Sequence, residues 1–231
     1  MSTHSEPLRR LALDRLIKDA GGTALPDDAS DEPHFAELLD ECAALIDEIT
    51  FTKKNDGHVA QATMGAHPLV TYDPAYSSGE ATTDDVPFRT ASILHEIMHV
   101  SVDKLYDKPT DPSEKIYWQS VNFHYATTAG SSFAEQSQTV TENLQKVMAR
   151  ATADSKVDTT LRSHIERRYI YGCAGPHVHY DTVLLDLLVY LRLKGHSRKN
   201  VLFAYLTKLS QEARNRRMDS KGGPVPPASA T

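Results

Sequence analysis

The sequence predicts a mostly helical α+β fold, in which a small antiparallel sheet packs on one apolar helix and a helical half follows. Three observations support this prediction. Helical hydrophobic periodicity occupies both ends of the chain, short strand-like segments cluster between residues 49 and 73, and an apolar stretch without Gly or Pro covers residues 91–100. With 231 residues, 40% of them hydrophobic, the chain is long enough for one sizeable core.

Two helices are predicted before the strands. The first has apolar residues from Leu11 to Ile17 and ends at two glycines, and the second has apolar residues from Phe35 to Ile46. We divide the chain into an N-terminal helix and linker (1–32), a single domain (33–217) and a tail (218–231). The tail is rich in Gly, Pro and small residues, so we expect it to be disordered.

Three strands are predicted next, and we expect them to pair in antiparallel fashion. Residues 49–52 form the first strand, Asn55-Asp56-Gly57 is a strong hairpin signal, and residues 59–64 form the return strand. A further strand covers residues 68–73 and is ended by Pro74.

The apolar stretch that follows contains His95-Glu96-x-x-His99. On a helix, His95 and His99 lie one turn apart on the same face, where they can hold one metal ion. Glu96 is about 100° further around the helix, so its carboxylate can reach a water on the metal without becoming a ligand. Asp103 could accept the second ring N–H of His99. In the alternative, both histidines lie on a half-buried helix and pair with Glu96 and Asp103.

The second half of the chain is predicted to be helical. Apolar residues recur with helical spacing at 133–151, 161–170, 183–193 and 201–209, whereas residues 115–128 fit no single pattern. The segment from Val183 to Leu193 is the most apolar, but Asp186 and Arg192 interrupt it and exclude a membrane span.

A catalytic zinc ion usually has three protein ligands and an open position, so a third ligand is needed. Glu142 is one candidate, at a plausible distance beyond His99, although it lies nearly opposite the apolar stripe of its helix. Glu135 is a weaker candidate, because it is also explained as the last residue of a capping box.

The rival third ligand is His179, which lies with His177 on a loop that contains Gly and Pro. A loop can aim side chains that a helix face cannot. One histidine could bind the ion, and the other, or Tyr180, could then hydrogen-bond a developing oxyanion. Alternatively, these histidines are surface residues and Asp181 caps the next helix. His124, His164 and His196 look like ordinary surface or core histidines.

The net charge and the lack of a signal-peptide pattern limit the classes of partner that we expect. The net charge is −6 and there is no basic stripe with interleaved aromatic residues, so we expect no nucleic-acid partner. No segment resembles a cleaved signal peptide, and we expect no membrane partner. The chain is predicted to be soluble, and either cytoplasmic or secreted by a route that is independent of a signal peptide.

A strand at residues 69–73, a loop and then a His-Glu-x-x-His helix resemble the N-terminal half of a zincin metallopeptidase. The resemblance implies that His95 and His99 bind zinc, that Glu96 activates water, and that a helical second half supplies the third ligand. It also implies that the edge strand, residues 69–73, pairs with an extended peptide or protein substrate. The small size and the missing leader are similar to zincin domains delivered as bacterial effectors.

Two branches of that superfamily are disfavoured by the residues after the motif. Val102 and Leu105 stand where the metzincin pattern has Gly and His, and Leu105 stands where the aspzincin pattern has Asp. The leading hypothesis is a zinc-dependent endopeptidase. The alternatives are a non-catalytic helical interaction protein, and a structural zinc site closed by four ligands such as His95, His99, His179 and Glu142.

Overall fold

A computed structural model of the chain describes the backbone of residues 6–26, 32–55, 57–77, 85–105, 133–174 and 180–219. Within these ranges, the side chains of residues 6, 102–105, 133–141, 167–174, 181 and 216–219 are not described. The described part contains seven helices and one three-stranded sheet. The predicted α+β class with a mostly helical content is therefore confirmed.

The helices and strands lie close to the predicted segments. The helices are α1 (Glu6–Asp19), α2 (Pro33–Ala44), α3 (Val86–Leu105), α4 (Phe133–Ala153), α5 (Thr159–Ala174), α6 (Tyr180–Leu193) and α7 (Val201–Asp219). The strands are β1 (Thr50–Lys53), β2 (Ala60–Thr63) and β3 (Leu69–Tyr72). The unassigned segment 115–128 lies outside the described residues, and so do residues 220–231 of the predicted tail (218–231). The first two residues of that tail, 218 and 219, belong to α7 instead.

The strand pairing differs from the prediction. The sheet order is β1-β3-β2, with β1 parallel and β2 antiparallel to β3. The sheet is thus mixed rather than antiparallel, and the predicted hairpin between β1 and β2 is wrong because these strands are not neighbours. The expectation that residues 69–73 form an edge strand is also wrong, since β3 is the central strand.

Burial explains why β3 occupies the centre. Val70 and Thr71 of β3 are buried, whereas most residues of β1 and β2 are exposed or half-buried. A strand with a neighbour on each side loses contact with solvent along both edges. This environment suits β3, because its sequence contains β-branched and aromatic residues. The more polar β1 and β2 take the edges, where polar side chains also discourage pairing with other chains.

The core is built around α3 and α6. The buried side chains of α6 surround the helix, from Val183 to Leu191, and α3 contributes Ile93, Leu94, Ile97 and Met98. A helix that is apolar on all sides belongs in the interior of a domain. The N-terminal helix α1 packs against α2 and α3, and it places Leu13 and Ile17 in the same core cluster.

The two central helices run in opposite directions. Asp186 of α6 lies beside His95, and Tyr190 lies beside Asp85, which immediately precedes α3. The first turn of α6 is therefore level with the part of α3 that contains and follows His99.

In the described ranges, no helix is both long and apolar enough to cross a membrane.

Candidate metal centre

The three motif residues form one compact group on α3. Ligand atoms of His95, Glu96 and His99 all lie within 4.8 Å of one another. The two imidazole rings meet edge to face, with their centroids 4.6 Å apart. Both histidines are buried and Glu96 is half-buried. Two imidazoles and a carboxylate are common metal ligands, so this group could hold a metal ion.

Glu96 is held by the edge strand beside its helix. The backbone N–H of Ala62 donates a hydrogen bond to Glu96 Oε2, with an N–O distance of 2.8 Å. The N–H of Asp73 donates to the carbonyl of Val59, so alternate residues Val59, Gln61 and Thr63 direct their peptide groups toward β3. Ala60 and Ala62 direct theirs to the outer edge of β2. This edge therefore faces the group and fixes the Glu96 carboxylate.

A buried carboxylate on α6 joins two histidines. Asp186 is fully buried; its Oδ2 lies 3.7 Å from His95 Nδ1, and its Oδ1 lies 2.8 Å from Nε2 of His164 on α5. A buried carboxylate is costly unless charged or hydrogen-bonding groups compensate it, and the hydrogen bond with His164 provides part of this compensation. Because His95 Nδ1 faces Asp186, its Nε2 is the nitrogen left to face an ion.

Aromatic rings hold His164 in place. The His164 ring stacks on Tyr190, with centroids 3.9 Å apart and an angle of 9° between the planes. Phe88 meets the same imidazole edge to face at 5.6 Å. These contacts restrict rotation of the His164 ring, so its Nε2 stays directed at Asp186.

The polar contacts continue from Tyr190 to the start of α3. The Tyr190 hydroxyl donates to Asp85 Oδ2 at 2.9 Å, and Lys194 Nζ lies 2.6 Å from the same oxygen. Burial raises the pKa of Tyr190, and its hydrogen bond to Asp85 raises that pKa further. Tyr190 therefore remains a neutral hydrogen-bond donor at physiological pH.

Within the described residues, the group contains none of the predicted third ligands. Glu142 is exposed on α4; its neighbour Asn143 donates a hydrogen bond to the Tyr180 hydroxyl at the start of α6, with an N–O distance of 3.1 Å. His177 and His179 lie outside the described residues, and so do the side chains of Glu135, Asp103 and Asp181. The choice of third ligand stays a prediction.

Two residues of the arrangement were not identified as site residues from the sequence. The sequence predicts His164 to be an ordinary surface or core histidine; it is a core histidine, and it is hydrogen-bonded to Asp186. In the sequence, Asp186 stands out only as an interruption of an apolar segment. The sequence does contain a signal that could identify Asp186 as a site residue. A carboxylate within the most apolar helix of a chain requires a buried partner.

Comparisons with family models, curated proteins and solved structures give no match for this chain.

Proposed function

We propose that this chain is a zinc-dependent endopeptidase. The observation that carries the proposal is the buried group of His95, Glu96 and His99 on one helix, with Glu96 tied to the adjacent edge strand. The donor set fits zinc, because zinc takes imidazole nitrogens, whereas magnesium and calcium favour oxygen ligands. In this proposal His95 and His99 hold the ion, and His179 or Glu142 is the third ligand.

Glu96 is the catalytic base in this proposal. A bound zinc ion would lower the pKa of water toward about 7 and polarise the scissile carbonyl. Glu96 accepts the proton of the attacking water and then delivers it to the nitrogen of the leaving amine. The hydrogen bond from Ala62 holds one carboxylate oxygen, so the orientation of the base is set before a substrate arrives.

Metal removal tests the proposal directly. We expect the zinc-loaded protein to cut unfolded casein into fragments, to lose this activity with 1,10-phenanthroline, and to regain it when zinc is added back. Fragments are identified by mass spectrometry, which also reports the residues on either side of each cut. Protein that holds one zinc ion per chain, yet cuts neither casein nor a mixed peptide library, would contradict the peptidase assignment and favour a structural zinc.

The outer edge of β2 is the proposed place for the substrate backbone. Residues 69–73, the expected edge strand, cannot take this role because β3 is flanked on both sides. Ala60 directs its N–H and carbonyl to the outer edge of β2, which has no strand neighbour among the described residues, two residues from the atom that holds Glu96. An extended peptide can add to such an edge by main-chain hydrogen bonds.

Replacing Ala60 by Pro removes an outward N–H without removing a hydrogen bond to β3. We expect kcat/KM for fluorescence-quenched peptides to fall about threefold to tenfold, mainly through KM, because one hydrogen bond is worth about 0.5–1.5 kcal/mol. Lys53→Pro is the matched control, since Lys53 directs its N–H outward on β1, at the opposite edge. Equal losses in both variants would contradict substrate pairing at β2.

A further inference from the structure

Asp186 lies between a motif histidine and a histidine from a different helix. His95 is on α3, Asp186 on α6 and His164 on α5, so three helices converge on one carboxylate. Asp186 and His164 are both completely buried. Neither residue belongs to the group that could hold the metal ion, so the proposed chemistry does not explain why they are there.

The two carboxylate oxygens of Asp186 face different histidines. Oδ1 lies at hydrogen-bonding distance from His164 Nε2, and Oδ2 lies 3.7 Å from His95 Nδ1, which is longer than a hydrogen bond but close enough for the charge to act on that nitrogen. A carboxylate near Nδ1 favours the tautomer that carries its hydrogen there. The lone pair of that imidazole is then on Nε2, which is the form that a metal ion requires.

We infer that Asp186 and His164 are positioning residues for the metal centre: Asp186 sets the tautomer and orientation of His95, and His164 fixes Asp186. This inference rests on the proposed metal site. The rings of Tyr190 and Phe88 complete the arrangement, because they hold the His164 imidazole in the plane that its bond to Asp186 requires. Metal affinity is therefore determined partly by residues that do not touch the ion.

Asp186→Asn tests the tautomer directly. The side chain keeps its shape, and its carbonyl can still accept from His164, but its NH₂ group then faces His95 Nδ1. That donor favours a hydrogen on Nε2, which opposes metal binding. We expect the Kd for zinc, measured by competition with a chromogenic chelator, to rise about 10–100-fold.

Two substitutions of His164 separate positioning from packing. His164→Leu removes the donor to Asp186, and we expect zinc affinity to fall about 10-fold. His164→Gln places an amide N–H where Nε2 was, so we expect it to restore most of the affinity. The visible spectrum of the cobalt-substituted protein reports the geometry at the ion, and it should change in the Leu variant and return in the Gln variant.

The control is another buried histidine with a side-chain partner. His34 of α2 lies 3.0 Å from Ser210 Oγ of α7 and belongs to no part of the metal group. His34→Leu should lower the Tm of the metal-free protein while leaving zinc affinity and the cobalt spectrum unchanged. The nearly isosteric Asp186→Asn keeps the test decisive if His164→Leu fails to fold.

The outcomes distinguish this inference from the proposed function. If wild type binds one zinc ion and both Asp186→Asn and His164→Leu bind it equally well, the positioning roles are refuted and the metal site stands. Equal losses in His164→Leu and His164→Gln would refute the role of the donor. If wild type takes up no zinc, the proposed function fails and the positioning roles fall with it.

Discussion

Glu96→Gln should lower kcat/KM for peptide hydrolysis by about 10²–10⁴-fold while leaving about one zinc ion bound per chain. A Gln side chain cannot accept the proton of the attacking water at neutral pH. Its amide oxygen can still accept the hydrogen bond that Ala62 donates to Glu96, so the contact between α3 and β2 is retained. Activity is measured on zinc-loaded protein with quenched peptides, and metal content by atomic absorption.

The matched control is a carboxylate far from the motif. Glu212 lies on α7, where it forms an exposed ion pair with Lys208, so Glu212→Gln should leave both activity and zinc content unchanged. If Glu96→Gln cleaves peptides as fast as wild type, Glu96 is not the base. A variant that loses activity together with its zinc would instead indicate that Glu96 is a ligand, which the geometry of the group also permits.

His95→Ala should abolish stoichiometric zinc, and with it all hydrolysis. Removing a ligand weakens binding more than removing a residue that orients one, so the rise in Kd should exceed the roughly 10–100-fold expected for Asp186→Asn. It also removes the imidazole that lies 3.7 Å from Oδ2 of the buried Asp186. The Tm of the metal-free protein should therefore fall as well, because a buried carboxylate loses compensation.

His67→Ala provides the control, because His67 is exposed on the turn between β2 and β3. The His67→Ala variant should retain its zinc. Wild type that holds no metal after purification without chelator, and takes up none from added zinc, would contradict the enzyme assignment. The same assay on His179→Ala and Glu142→Ala identifies the third ligand. The variant that lacks the true ligand should lose its zinc, and the other variant should keep it.

The motif helix was predictable because its evidence is local. Helical spacing alone places His95 and His99 on one face, and the apolar residues around them predict the burial that the structure shows. The sheet was less predictable. Asn55-Asp56-Gly57 is a strong local signal for a hairpin, but the burial of Val70 and Thr71 between two more polar strands decides the order.

The positioning residues depend on contacts distant in sequence. Asp186 and His95 are separated by most of the second half of the chain, and hydrophobic periodicity says nothing about which buried polar side chains will meet. Composition shows only that Asp186 needs a partner. Eleven histidines were available for that purpose, and no local pattern separates His164 from the others.

The strand order also constrains how the site can assemble during folding. β1 and β2 each pair with β3 and not with each other, so neither has a neighbour in the sheet until residues 69–72 take their place. The short turn between β2 and β3 makes their hairpin the early local unit, whereas the parallel pairing with β1 requires closure of a longer loop. Because β2 carries the Ala62 N–H, the orientation of Glu96 depends on the insertion of β3, the strand with which β2 pairs. A nascent chain that ends before residue 69 would therefore contain two of the three strands without the sheet that holds the base.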